Sequence, residues 1–70
     1  MNNVRKVRVA RGIKQTELAR IAGITQPYLV DLEKGRRGAR AETKIRIANA
    51  LGVSVADLWG GDDGETADNP

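Results

Sequence analysis

Residues 15–32, QTELARIAGITQPYLVDL, carry the clearest structural signal of this chain. Its apolar residues recur at the helical period on both sides of Gly23, which predicts two short helices. Ala19 is small enough for the helices to cross closely, and Gly23 supplies the backbone freedom for a tight turn between them. The Thr25 hydroxyl can cap the second helix, and Pro27 is tolerated in its first turn. The stretch therefore predicts two crossed helices with a sharp corner.

On either side of this stretch, the apolar period predicts three more helices, so the expected fold class is all-α with five helices. In chain order they occupy about residues 2–11 (α1), 15–22 (α2), 25–34 (α3), 41–51 (α4) and 55–59 (α5). The expected buried stripe of α4 is Ile45, Ala48 and Leu51, with Ile47 beside it. A Ser-x-x-Asp pattern at residues 54–57 is typical of a helix start and opens α5. Residues 35–40 have no apolar period and predict an exposed basic loop.

Charge divides the chain into two parts. Residues 1–60 contain all twelve Lys and Arg but five acids, a net charge of +7, and the other four acids follow in residues 61–70. We expect residues 1–60 to form one domain and residues 61–70 a disordered acidic tail, because the tail has too little apolar surface to bury. The basic excess attracts polyanions such as nucleic acids, although a solvated charged surface is the commoner explanation of such a charge.

Several classes of protein are disfavoured by composition. The chain has no Cys and no His, and so lacks the commonest metal ligands, general base and thiol nucleophile. We therefore expect neither an enzyme nor a cofactor or small-molecule site. The apolar runs are too short for a membrane span and the first residues are polar, so we expect a cytoplasmic protein without membrane contact.

Residues 4–59 resemble the phage-repressor or Cro-like helix-turn-helix family, also called the Xre family. The matching segments are VRKVR (4–8), QTELA (15–19), AGITQ (22–26), YL (28–29), LEKG (32–35) and IANALGVS (47–54). The resemblance implies a compact five-helix, lambda-repressor-like domain in which α2 and α3 form the helix-turn-helix. It also implies that α3, residues 25–34, enters the major groove of double-stranded DNA.

The resemblance places base-reading residues at the start of α3. Gln26 matches the first glutamine of the recognition helix, and a glutamine amide can donate to and accept from adenine at once. Pro27, Tyr28 and Asp31 are further candidates, through a thymine methyl, the phenol hydroxyl and a cytosine amine respectively. Packing is the alternative for Pro27 and Tyr28, and Asp31 needs either that amine or a neutralising neighbour such as Lys34.

The resemblance also implies phosphate contacts by residues near the ends of α2 and α3. The candidates are Lys14, Gln15, Lys34, Arg36, Arg37 and Arg40. Gln15 matches a glutamine that meets a phosphate at the start of α2, where helix N–H groups favour anions. A polar first-turn residue and a solvated charge run are the plainer alternatives. The chain departs from the family at Lys14, where a Ser or Thr cap is usual, and at residues 38–39, where Asn-Pro is common.

Four residues are expected to serve structure. Arg8 and Glu33 match a salt bridge that joins α1 to the end of α3 in similar proteins. Leu58 and Trp59 are expected to close the core, with a dimer contact as the alternative.

Together these patterns predict a transcriptional regulator, specifically a repressor that binds a palindromic operator as a homodimer, in a bacterial nucleoid or encoded by a phage. The alternative is a protein-interaction module, such as an antitoxin-like or mobile-element accessory protein.

Overall fold

The computed structural model describes residues 2–60 of the chain. Its helices are α1 (Val4–Ala10), α2 (Gln15–Ala22), α3 (Gln26–Glu33), α4 (Ala41–Leu51) and α5 (Val55–Trp59). Residues 2–60 include no strand. The prediction of an all-α fold with five helices is therefore confirmed, whereas the predicted tail, residues 61–70, lies outside the described residues.

The corner between α2 and α3 forms as its residue types predict. Gly23 ends α2 in the left-handed region, at φ 72° and ψ 31°, which a residue with a Cβ adopts only under strain. The Thr25 hydroxyl accepts a hydrogen bond from the Tyr28 N–H at 3.2 Å, and Pro27 lies in the first turn of α3. Thr25 is thus the cap before α3 and Lys34 the cap after it.

The start of α5 is also the predicted one. The Ser54 hydroxyl accepts from the Asp57 N–H at 3.1 Å, and the Asp57 carboxylate accepts from the Ser54 N–H at 3.0 Å. This reciprocal capping box satisfies two N–H groups that the helix leaves unpaired. By contrast, Lys14 and Arg40 precede α2 and α4 without a side-chain cap.

The core lies where α2 packs on α3 and α4 and where α5 closes against α1 and α4. Its buried apolar residues are Val4, Leu18, Ala19, Ala22, Leu29, Leu32, Ala39, Ile47, Ala48, Leu51, Leu58 and Trp59. Each buried Leu or Ile contributes roughly 1.5–3 kcal/mol relative to exposure. This core fixes the crossing of α2 and α3, on which the position of the candidate site depends.

The predicted stripe of α4 is wrong at Ile45, which is 50% exposed. The buried side chains are instead Lys44, Ile47, Ala48 and Leu51, which also follow the helical spacing. Lys44 takes the inward position because its alkyl stem can be buried while its ammonium lies over the Trp59 ring, 5.5 Å from the centroid.

Two other details of burial differ from expectation. Ile21 belongs to the apolar pattern of α2 but is 49% exposed, because Leu18, Ala19 and Ala22 already fill the inner face of that helix. The loop at residues 35–40 is exposed except at Ala39, which is buried in the core.

Leu58 and Trp59 close the core, being 1% and 7% exposed. Almost none of the surface of these two side chains is left for a partner, which argues against the alternative of a dimer contact through them. No helix within residues 2–60 is both long and apolar enough to cross a bilayer.

Candidate nucleic-acid interface

The N-terminal end of α3 is its exposed end. Gln26 and Pro27 are exposed in the first turn, while Leu29, Leu32 and Glu33 are buried farther along the helix. The helix is therefore anchored through its middle and C-terminal turns. Its first turn is left accessible to a ligand.

A buried ion pair ties α3 to α1. The Arg8 Nε and Nη2 atoms donate to the two Glu33 carboxylate oxygens at 2.6 and 3.2 Å, and the side chains are only 10% and 2% exposed. A third Arg8 nitrogen donates to the Ile13 carbonyl at 2.8 Å. This two-pronged geometry holds a guanidinium and a carboxylate in one plane. It fixes the end of α3 relative to α1 and to the loop before α2.

Gln15 extends this pair toward the surface. Its Nε2 donates to Glu33 Oε1 at 2.9 Å, and its Oε1 accepts from Gln26 Nε2 at 3.5 Å. Gln15 is half-buried and Gln26 is exposed. Four side chains, Arg8, Glu33, Gln15 and Gln26, thus form one continuous chain of hydrogen bonds from the interior to the tip of α3.

Tyr28 ties the basic loop to α3. Its hydroxyl donates to the Gly38 carbonyl at 3.3 Å, and the Arg37 guanidinium lies over its ring, 4.7 Å from the centroid. The ring is half-buried against the core. Tyr28 therefore holds Arg37 beside the first turns of α3, and its hydroxyl already has an acceptor within the protein.

Asp31 lies in the middle of α3 and is half-buried. Its backbone carbonyl accepts from the Arg36 N–H at 2.9 Å, which starts the loop after the helix. Within residues 2–60, no ion pair joins its carboxylate to Lys34. The neutralising neighbour suggested by the sequence is therefore not in place.

The basic residues predicted to meet phosphates are all exposed: Lys14, Lys34, Arg36, Arg37 and Arg40. Lys14 and Arg40 lie immediately before α2 and α4, and Lys34 lies immediately after α3. The contact of Gln15 with Gln26 brings the start of α2 to the first turn of α3. The contact of Arg37 with Tyr28 brings the basic loop to the same turn. The result is a polar tip beside a cationic loop.

Sequence reasoning missed several contacts of this site, including those of Gln15 and of Tyr28. It paired Glu33 with Arg8 but not with Gln15, and it did not place Arg37 over Tyr28. Gln15 and Glu33 are eighteen residues apart on different helices, so no local spacing signals their contact. An aromatic residue nine positions before an arginine carries no signal either.

The chain is similar to known helix-turn-helix proteins. A model of the helix-turn-helix family matches residues 4–58. The chain is 40% identical over 58 residues to the HTH-type transcriptional regulator DdrOP3 of Deinococcus deserti, covering 83% of this chain and 45% of that protein. It is 32% identical over 57 residues to the immunity repressor protein of Bacillus phage phi105, covering 81% of this chain and 40% of that protein.

A solved structure resembles the fold. The restriction-modification controller protein C.AhdI from Aeromonas hydrophila superposes with a TM-score of 0.76 at 28% identity, over 80% of this chain and 85% of that one. The chain thus spans less than half the length of the two relatives above, and most of this controller protein.

Proposed function

This chain belongs to the Xre-like helix-turn-helix family of transcriptional regulators, and on that premise we propose that it is a repressor which binds a palindromic operator as a homodimer. In this proposal the first turn of α3 enters the major groove. In this proposal the protein is cytoplasmic. Its operator lies in the DNA of a bacterial nucleoid or of a phage.

The observation that carries the proposal is the position of Gln26. It is exposed in the first turn of a helix that is anchored farther along by buried Leu29, Leu32 and Glu33, and its amide contacts Gln15 at the start of α2. A glutamine amide presents one acceptor and one donor, which complement the N6 amine and N7 of adenine. Pro27 is exposed beside it and can contact a thymine methyl, whereas Tyr28 and Asp31 are half-buried and contribute at the edge of the contact.

The exposed basic residues around α3 support this orientation of the domain on DNA. Phosphate contacts are proposed for Gln15 and for the exposed residues Lys14, Lys34, Arg36, Arg37 and Arg40. Such contacts fix register and add affinity that does not depend on sequence. The first N–H groups of α2 and the Gln15 side chain can share one phosphate.

The homodimer follows from the size of the recognition surface. A single recognition helix reads one half-site, and useful affinity requires two copies about 34–36 Å apart on the duplex. Since Leu58 and Trp59 are buried, the proposed subunit contact falls on the exposed side of α5, which includes Ala56. Repression is proposed because a bound dimer occludes a promoter, and the similar phage protein is named a repressor.

The test is a fluorescence anisotropy titration on a duplex selected from a random library by the wild-type protein. We expect the selected duplex to contain an inverted repeat and to bind at least about a thousandfold more tightly than random DNA. Gln26→Ala should remove much of that preference, whereas Asn49→Ala, an exposed amide on α4, serves as the matched control. No preference in the wild type, or no effect of Gln26→Ala, would refute the proposal and favour the protein-interaction alternative.

A further inference from the structure

A groove of about 440 Å³ lies between α1 on one side and α5 with the residue Val53 before it on the other. Its lining includes three apolar side chains, Val7, Ala10 and Val53. Two cations, Lys6 and Arg11, line the α1 side, and both are exposed. None of the residues proposed to contact DNA lines this α1 groove. It is therefore a surface that the proposed function does not use.

The two cations of the α1 groove are not neutralised within the domain. Among residues 2–60, neither Lys6 nor Arg11 forms an ion pair. Asp57 also lines the groove, but its carboxylate accepts from the Ser54 N–H at 3.0 Å in the capping box. The groove thus combines an apolar lining with two unpaired positive charges. Such a surface suits an acidic chain with small side chains.

Residues 61–70, GDDGETADNP, carry the complementary charge. They contain no Lys or Arg, and their four acids are Asp62, Asp63, Glu65 and Asp68. The other side chains of this segment are small, and Thr66 and Ala67 each present a methyl group. The segment therefore matches both the charge and the apolar lining of the groove.

The segment also begins beside the groove, because the end of α5 is bonded to the start of α1. The Asn3 N–H donates to the Leu58 carbonyl at 2.7 Å, and the Asn3 Nδ2 atom donates to the Asp57 carbonyl at 3.2 Å. Asn3 itself lines the groove. Residue 61 follows Gly60, which comes directly after α5.

The length of the segment suits the groove. A helix rises about 1.5 Å per residue, so Lys6 and Arg11 lie about 4.5 and 12 Å along α1 from Asn3. An extended chain covers about 3.3 Å per residue, so Asp62 and Asp68 can lie up to about 7 and 26 Å from Gly60. The four acids therefore cover the range of distances to both cations.

We propose that residues 61–70 bind back into the α1 groove, with their acids on Lys6 and Arg11. A tether this short gives the segment an effective concentration on the order of millimolar at the groove, so exposed ion pairs, which are individually weak, suffice for the contact. The contact holds four negative charges on α1, where they do not cover the basic loop at residues 35–40. It leaves that loop free for phosphates.

The experiment places a nitroxide spin label in the segment of the full chain and measures the loss of backbone amide intensity by NMR, without DNA. The chain has no Cys, so Asn69→Cys gives a single labelling site and keeps all four acids. Position 69 is nine residues beyond Gly60, so the tether alone does not hold the label at the groove. We expect selective loss at Val7, Ala10, Arg11 and Val53. The loss should disappear at about 1 M salt, where the Debye length is about 3 Å.

Two charge variants of the labelled chain isolate the contact. Lys6→Gln/Arg11→Gln should abolish the selective loss. Arg5→Gln/Arg20→Gln is the matched control, because it removes the same charge from exposed arginines on α1 and α2 that do not line the groove. This control should retain the loss.

Three results would overturn the inference. One is an intensity loss spread evenly over the domain or equal in the two charge variants. Another is a loss centred on Arg36 and Arg37, which would place the segment on the candidate nucleic-acid interface. The third is a loss seen when spin-labelled protein is mixed with isotope-labelled protein that has no spin label, because the segment would then bind a second copy. DNA is absent throughout, so each of these results leaves the proposed function standing.

Discussion

Replacing Arg8 by Met should destabilise this domain severely. The substitution leaves the Glu33 carboxylate, whose side chain is 2% exposed, without the two charge-assisted hydrogen bonds that now satisfy it. Removing one partner of a buried ion pair costs roughly 3–5 kcal/mol. Seventy residues at about 0.05–0.15 kcal/mol each give a total stability of about 3.5–10 kcal/mol, so the loss is a large fraction. The melting temperature should fall by about 12–40 °C.

The assay is thermal and urea unfolding followed by circular dichroism at 222 nm. Arg5→Met is the matched control, because Arg5 is exposed on the same helix and its replacement should change stability by less than about 0.5 kcal/mol. Arg8→Met/Glu33→Met should recover most of the loss, since no buried charge then lacks a partner. A melting temperature of Arg8→Met equal to that of Arg5→Met would refute the reasoning.

Three further predictions concern the basic loop, Tyr28 and the start of α2. Arg36→Gln and Arg37→Gln should each reduce the slope of log affinity against log salt by about 1, measured by anisotropy at several salt concentrations. An unchanged slope in the double variant would show that the loop does not contact DNA phosphates. Tyr28→Phe loses only the bond to the Gly38 carbonyl and should lower DNA affinity less than Tyr28→Ala, which also removes the ring under Arg37; equal losses would contradict a role for the ring. Lys14→Ser supplies the missing cap of α2 and should raise stability in urea by about 1 kcal/mol, and a lower stability would count against an unsatisfied helix start.

Much of the fold could be predicted because its signals are local. The glycine after α2, the Thr25 cap and the Ser-x-x-Asp pattern each act within four residues, and the structure contains them where the sequence predicts them. The bounds of α2 and α4 also follow from short-range periodicity and from the glycines that end them. Local chemistry thus determined the number of helices and the ends of α2 and α4, whereas α1 is shorter than the predicted residues 2–11.

The inward face of α4 could not be predicted from hydropathy alone. Two sets of residues on α4 have helical spacing: one is 44, 47, 48 and 51, and the other is 45, 48 and 51. Hydropathy favours the second set, because Ile45 is more apolar than Lys44. The tertiary position of Trp59 decides between them, since its ring provides a surface for the Lys44 stem and ammonium. Ile45 therefore faces outward although it is the more apolar residue.

The sequence predicted which residues form the candidate site, but not the hydrogen bonds that connect Gln15 to Glu33 and Gln26. The sequence placed Gln15, Gln26 and Glu33 at helix starts and ends, each with a separate role. Their connection depends on how closely α2 crosses α3, which is fixed by core packing and not by any spacing along the chain. Apart from the Arg8–Glu33 pair, which the family resemblance implied, the contacts between side chains on different helices emerge only from the three-dimensional arrangement.

DNA binding through the first turn of α3 is tested most directly by an NMR map of which backbone amides shift when the selected duplex is added to the labelled protein. We expect the largest shifts at Gln15, Gln26, Arg36 and Arg37, with little change in α1. Shifts concentrated on α1, with the first turn of α3 and the basic loop unaffected, would contradict it.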